Sequence, residues 1–71
     1  ETGMNPMAFL MQVRVEQACK LLERQDIKVS GIATQVGFSS PQRFNAAFRK
    51  HIGMTPMQYR RRILADKKEY R

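Results

Sequence analysis

The 71-residue sequence predicts an all-α fold: a long linker helix leads into two short helices around a tight turn, and a further helix closes the unit. Three observations predict that class. Apolar residues recur at three- and four-residue steps, and no run alternates as a strand would. Glycines and cap-forming side chains interrupt the pattern where helices would end and restart. A seven-residue phrase also occurs twice, fifty positions apart, as Gly3-Met4-Asn5-Pro6-Met7-Ala8-Phe9 and Gly53-Met54-Thr55-Pro56-Met57-Gln58-Tyr59. Repetition at such a period marks two copies of one supersecondary unit. The chain is therefore expected to open on the end of one unit and run through a complete second one, as the latter half of a duplicated domain. The absence of Met at position 1 agrees with the expectation of an excerpt.

Residues 1–5 are assigned to the end of that upstream unit. Within the phrase, Gly3 and Gly53 suit the left-handed residue that ends a helix, because they carry no Cβ to clash there. Asn5 and Thr55 can cap the next helix, and Pro6 and Pro56 fall at its first position, where a missing amide hydrogen costs nothing. Met4 with Phe9, and Met54 with Tyr59, straddle the caps as hydrophobic staples, while Thr55 and Gln58 complete a capping box. From Pro6 to about Gln25 the apolar positions Leu10, Val13, Ala18, Leu21 and Leu22, with Met7, Met11 and Val15 beside them, form a stripe wide enough for two neighbours. With the upstream unit absent, the face of Met7, Met11 and Val15 is expected to be partly exposed. Asp26 to Val29 is a short connection with Ile27 and Val29 inward, so residues 6–29 make the linker helix and its connection.

Residues 30–64 form the subdomain itself. Ser30 caps a short helix to about Val36, which bears Ile32, Ala33 and Val36 and ends at Gly37. The next helix starts at Ser39, pairing with Gln42 as a capping box, or at Ser40, placing Pro41 first; the sequence leaves both open. It runs to about His51 with Phe44, Ala47, Phe48 and His51 on one side, and Gly53 stops it. A last helix begins at Pro56 and frays after Leu64, leaving 65–71 as a basic tail.

The two short helices around Gly37 carry the functional reading. Ala33 stands four residues before Gly37, with Val36 and Phe38 on either side of the glycine. A helix-turn-helix requires this arrangement: the small side chain lets two helices cross closely, and glycine permits the turn. In the common spacing the next core position would be Arg43; here it is Phe44, which implies a turn about one residue longer.

Charge points the same way. Residues 1–29 balance Arg14, Lys20, Arg24 and Lys28 against Glu1, Glu16, Glu23 and Asp26, so the net charge of +7 lies entirely in residues 30–71. Such asymmetry suggests a polyanion-facing surface on a neutral scaffold. A lone Cys excludes an internal disulfide framework and fits a reducing compartment, and no apolar run has bilayer-spanning length, so a cytoplasmic location is expected and no membrane partner.

The pattern Ile32-Ala33, Val36-Gly37-Phe38-Ser39, Phe44, Phe48-Arg49-Lys50, Gly53, Thr55-Pro56 and Tyr59-Arg60, with Arg14, Ala18, Leu21 and Leu22 before it, resembles the AraC/XylS family of bacterial transcription regulators over roughly residues 1–62. That resemblance implies two homeodomain-like, three-helix helix-turn-helix subdomains joined by a long helix, of which this chain holds the second. It implies double-stranded DNA as the partner. It also implies the missing upstream subdomain, with a sensor or dimerisation domain of the same protein, and it admits RNA polymerase as a further partner. Arg14 matches a family Arg on an otherwise packed helix; a structural salt bridge and a DNA contact both fit, the structural role being preferred.

Geometry at about 100° per residue selects the side chains that would read DNA. Opposite Phe44, Ala47, Phe48 and His51 lie Gln42, Asn45, Ala46 and Arg49. Gln42 and Asn45 can bond adenine in a bidentate manner, Arg49 can reach guanine or phosphate, and Ala46 can touch a thymine methyl. By the resemblance, base readers lie on this helix's first two turns, matching Gln42, Asn45 and Ala46; Pro41 and Ala46 stand where relatives often carry polar side chains. Arg43 and Lys50 on the flanks, Ser40 at the helix entrance, and Gln58, Arg60 and Arg61 on the last helix are the expected phosphate contacts.

Nothing in the sequence assembles a catalytic centre or a cofactor site. Cys19 has no His near it and reads as a small buried residue; one His and one Cys make no zinc site, and no glycine loop cradles phosphate. Met4, Met7, Met54 and Met57 are most simply core filler. A non-specific polyanion or RNA-binding helical module is the alternative function, and a protein-binding or membrane-surface helix a third; neither finds exposed aromatics among the basic residues.

Overall fold

The computed structural model describes the backbone of residues 5–69 and the side chains of residues 5–66. Four helices occur among the described residues: α1 (Pro6–Leu22), α2 (Val29–Gln35), α3 (Pro41–Ile52) and α4 (Pro56–Glu69). The chain is all-α, and α1 packs on each of the other three helices.

The core forms where the inner lines of these helices meet. It comprises Val15, Ala18 and Leu22 from α1, Ile32 and Ala33 from α2, Phe44 and Phe48 from α3, and Val36 and Phe38 from the turn. An aromatic ladder runs through it. Phe38, Phe44, Phe48 and Tyr59 stack in sequence with centroids 5.4, 5.7 and 5.5 Å apart, all tilted or edge-on, as ring quadrupoles favour. The ladder ties the turn to α3 and α3 to α4.

Local chemistry sets most helix ends. The Asn5 side chain accepts from the Ala8 amide at 2.8 Å, with Pro6 next in line. Ser40, not Ser39, caps α3: its Oγ accepts from the Arg43 amide at 3.2 Å and Pro41 takes the first position. Thr55 and Gln58 form the reciprocal capping box, at 3.0 Å to the Thr55 amide and 3.2 Å to the Gln58 amide. Gly37 and Gly53 both take left-handed backbones, with φ of 99° and 94°. After α2, the Phe38 amide donates to Ala33 O and the Gly37 amide to Thr34 O, the bond pair that a left-handed glycine closes.

Several boundaries and placements differ from the sequence reading. α1 stops at Leu22 rather than near Gln25: Glu23 and Arg24 turn back with amide bonds to Lys20 O and Leu21 O, and a distant guanidinium takes the carbonyls beyond. Ser30 is no cap, because α2 already begins at Val29 from Lys28, without a side-chain cap. His51 is exposed, and Ile52 packs against the core in its place, continuing the four-residue step from Phe44 and Phe48. On α1 the inner line is Met11, Val15, Ala18 and Leu22; Val15 is fully buried, whereas Met7 is 61% exposed. Met7 and Met57 are thus surface residues, not core filler, while Met4 lies outside the described residues. α4 continues to Glu69, so the stretch after Leu64 is helical through that residue.

Candidate nucleic-acid interface

The interface is built from the turn outward. Five residues, Val36 to Ser40, join α2 to α3, longer than the usual three to four. Phe38 is buried from this turn and stacks on Phe44, so the start of α3 is pinned to the end of α2. With Phe44 and Phe48 fully buried on its inner side, α3 turns its other side to solvent. Gln42, Arg43, Asn45, Ala46, Arg49 and Lys50 are all exposed there, and Ala47 is half-buried at the edge. The exposed side presents two amides, three cations and one methyl. Arg49, Lys50 and His51 occupy the last turn of α3, where positive charge is favoured by the helix dipole.

A shallow groove flanks this side, lined by Met7, Ala8 and Met11 of α1 and by Arg43, Ala46 and Lys50 of α3. The start of α1 therefore runs alongside the exposed side of α3.

The expected phosphate contacts divide. Arg43, Lys50 and Arg61 are exposed. Ser40 is half-buried and uses its oxygen as the α3 cap. Gln58 is exposed, with its Oε1 engaged by the Thr55 amide. Arg60 is turned inward: it donates through Nε to Leu22 O at 3.1 Å and through Nη2 to Arg24 O and Ile27 O at 2.6 and 2.7 Å. It holds the end of α1 and the connection to α2 through Nε and Nη2. The sequence contained a signal for this. Arg60 lies on the inward stripe of α4 formed by Pro56, Tyr59, Ile63 and Leu64, and a cation in an apolar stripe is expected to find buried acceptors.

Arg14 shows the same signal between Met11, Val15 and Ala18. Its Nη1 donates to Gly37 O at 3.2 Å, and its guanidinium lies 6.0 Å from the Phe38 ring centroid. These contacts within the fold run through a carbonyl and a ring instead of a salt bridge. Cys19 is half-buried, and burial pushes its thiol above the ordinary range, with the neighbouring Tyr59 hydroxyl pulling the other way. No group of three or more His, Cys, Asp or Glu residues among those described could hold a metal ion, and none of the described helices is long and apolar enough to cross a membrane.

Comparison with known proteins decides the family. A family model described as a helix-turn-helix domain, of AraC type, matches residues 1–62. The chain belongs to the AraC/XylS family. Members of this family are DNA-binding transcription regulators. Among curated relatives, the chain is 41% identical over 61 residues to a histidine kinase P4 of Formosa agariphila, covering 86% of this chain and 4% of that protein. It is 39% identical to the uncharacterized transcriptional regulatory protein YesN of Bacillus subtilis, covering 87% of this chain and 17% of that protein. It is 37% identical to the HTH-type transcriptional activator RhaR of an Enterobacter species, covering 87% of this chain and 22% of that protein. The chain thus spans less than a quarter of the length of these relatives. No solved structure matches it.

Proposed function

We propose that this chain is a sequence-specific reader of double-stranded DNA, with α3 lying in the major groove, and that it serves a longer transcription regulator in the cytoplasm. The observation that carries the reading is the exposed side of α3. Gln42, Asn45, Ala46 and Arg49 stand opposite the fully buried Phe44 and Phe48, on a helix held by a cap at one end and a left-handed glycine at the other. Gln42 and Asn45 supply the paired donor and acceptor that adenine requires, Arg49 the fork that guanine requires, and Ala46 a surface for a thymine methyl. Arg43, Lys50 and Arg61 position the helix on phosphates, as do the Ser40 hydroxyl hydrogen and the Gln58 amide hydrogens. Arg60 is left out of this set, because its Nε and Nη2 are engaged by carbonyls.

The upstream subdomain belongs to the same proposal. Tyr59 stacks on Phe48 of the preceding helix and Pro56 is fully buried, whereas the matching residues of the first phrase, Phe9 and Pro6, are exposed. Phe9 is thereby left open to a partner of the kind that Phe48 provides for Tyr59. The transcriptional names of two relatives, and their greater length, support a longer regulator; a sensor or dimerisation domain and contact with RNA polymerase are part of the proposal.

The test is a set of three variants titrated against a family of duplexes. Arg49→Ala is expected to weaken binding, and Gln42→Ala and Asn45→Ala to change base preference at a few adjacent positions, each by about 1–3 kcal/mol of discrimination. Unchanged affinity and preference in all three would remove α3 from the interface.

A further inference from the structure

We infer that Arg14 is a positioning residue for DNA reading: it fixes the angle at which α3 leaves the helix-turn-helix turn, and so sets how Gln42 and Asn45 meet base edges. The inference rests on the reading of α3 as the DNA-reading helix. The turn Val36–Ser40 links α2 to α3 along the chain, and Arg14 of α1 contacts it at Gly37 and Phe38. The guanidinium bonds Gly37 O at 3.2 Å and lies 6.0 Å from the Phe38 ring centroid, and Phe38 in turn stacks on Phe44 at 5.4 Å. A Cβ at residue 37 would stand 3.2 Å from both Nε and Cζ of Arg14, so the guanidinium occupies the space that glycine leaves open. A three-step path therefore runs from α1 through Arg14 and Phe38 to the first turn of α3. A small displacement at residue 38 is carried to the reading side chains, because α3 is rigid beyond its cap. Long helix and reading helix thereby move as one body.

This role differs from that of a phosphate contact and from that of a simple strut, and the three are separable by experiment. Arg14→Met keeps the stem and volume but removes the donor and the charge; Arg14→Lys keeps a donor that can reach Gly37 O. In the 71-residue chain, affinity would be measured for a selected duplex and a scrambled one across a salt series, alongside residual dipolar couplings of the free protein. Arg14→Met is expected to weaken the selected duplex about tenfold, the size of a lost charged hydrogen bond. Affinity for the scrambled duplex and its salt slope should change by less than about twofold, since phosphate contacts are untouched. Arg14→Lys should recover part of the discrimination, and it carries the test if the Met variant fails to fold. Couplings of α3 should shift relative to those of α1 in the Met variant.

An equal loss on both duplexes, with the salt slope lowered by about one, would make Arg14 a phosphate contact. Unchanged affinities with a lowered melting temperature would make it a strut. Unaltered α3 couplings would overturn the proposal whatever the DNA result. If the wild-type chain itself fails to discriminate, the DNA reading falls, and the couplings alone decide the role of Arg14.

Discussion

Gly37 and Gly53 share a left-handed backbone but not their surroundings, and the difference is measurable. At Gly53 nothing lies within 4 Å of an added Cβ, whereas at Gly37 the Arg14 guanidinium lies at 3.2 Å. Gly53→Ala should cost about 1–2 kcal/mol in urea unfolding, from backbone strain alone. Gly37→Ala should cost more, because the side chain that must give way is hydrogen-bonded to that same residue. Arg60 offers a second contrast. Arg60→Met strips a charged donor from three carbonyls and should destabilise by about 1.5–3 kcal/mol, while Arg61→Met, one exposed position further on, should change stability by less than about 0.5 kcal/mol. In sequence the two arginines stand in a run of three and look alike; only the inward stripe of α4 tells them apart, and the carbonyls that Arg60 meets are more than thirty residues away. Cys19 and Tyr59 add a pH dependence. Burial raises both groups above their ordinary values, so the fold favours their neutral forms. Their contribution is fully present below the ordinary thiol range and is lost as pH rises through the raised values. Cys19→Ala should flatten the alkaline fall in a denaturation series run against pH.

At the scale of helices, the ends written in local chemistry were legible in the sequence. Asn5 with Pro6, Thr55 with Gln58, Gly37 and Gly53 form the caps and stops their residue types dictate. The choice between Ser39 and Ser40 was not legible, since each serine sits in a workable motif; packing decides it by burying Phe38 and Phe44 together. Ser40→Ala should therefore cost about 1 kcal/mol, and Ser39→Ala nearly nothing. The early end of α1 escaped the local reading because the donor to Leu22 O, Arg24 O and Ile27 O is Arg60 of α4, and the start of α2 at Val29 escaped it because no side chain caps that end. The last turn of α3 escaped it because a strict 100° step carries His51 inward, whereas Ile52, the more apolar neighbour, takes the place against the core. The outward residues of α3 were legible throughout, because two fully buried phenylalanines leave the helix only one way to face.

For the whole molecule, residues 1–29 are net neutral and residues 30–71 hold all of the excess positive charge. Such a surface should bind any duplex at low salt and lose affinity steeply as salt rises. Charge alone cannot separate a sequence reader from a general polyanion binder; the amides and methyl on α3 make that distinction. The decisive measurement is selection of bound duplexes from a random pool at moderate salt, read by sequencing. A self-sufficient reader enriches one short motif of about four to six base pairs, the reach of one helix in a major groove, and that motif changes when Gln42 or Asn45 is replaced by alanine. A bound pool with no enriched motif would contradict the account and leave the chain as electrostatic grip alone.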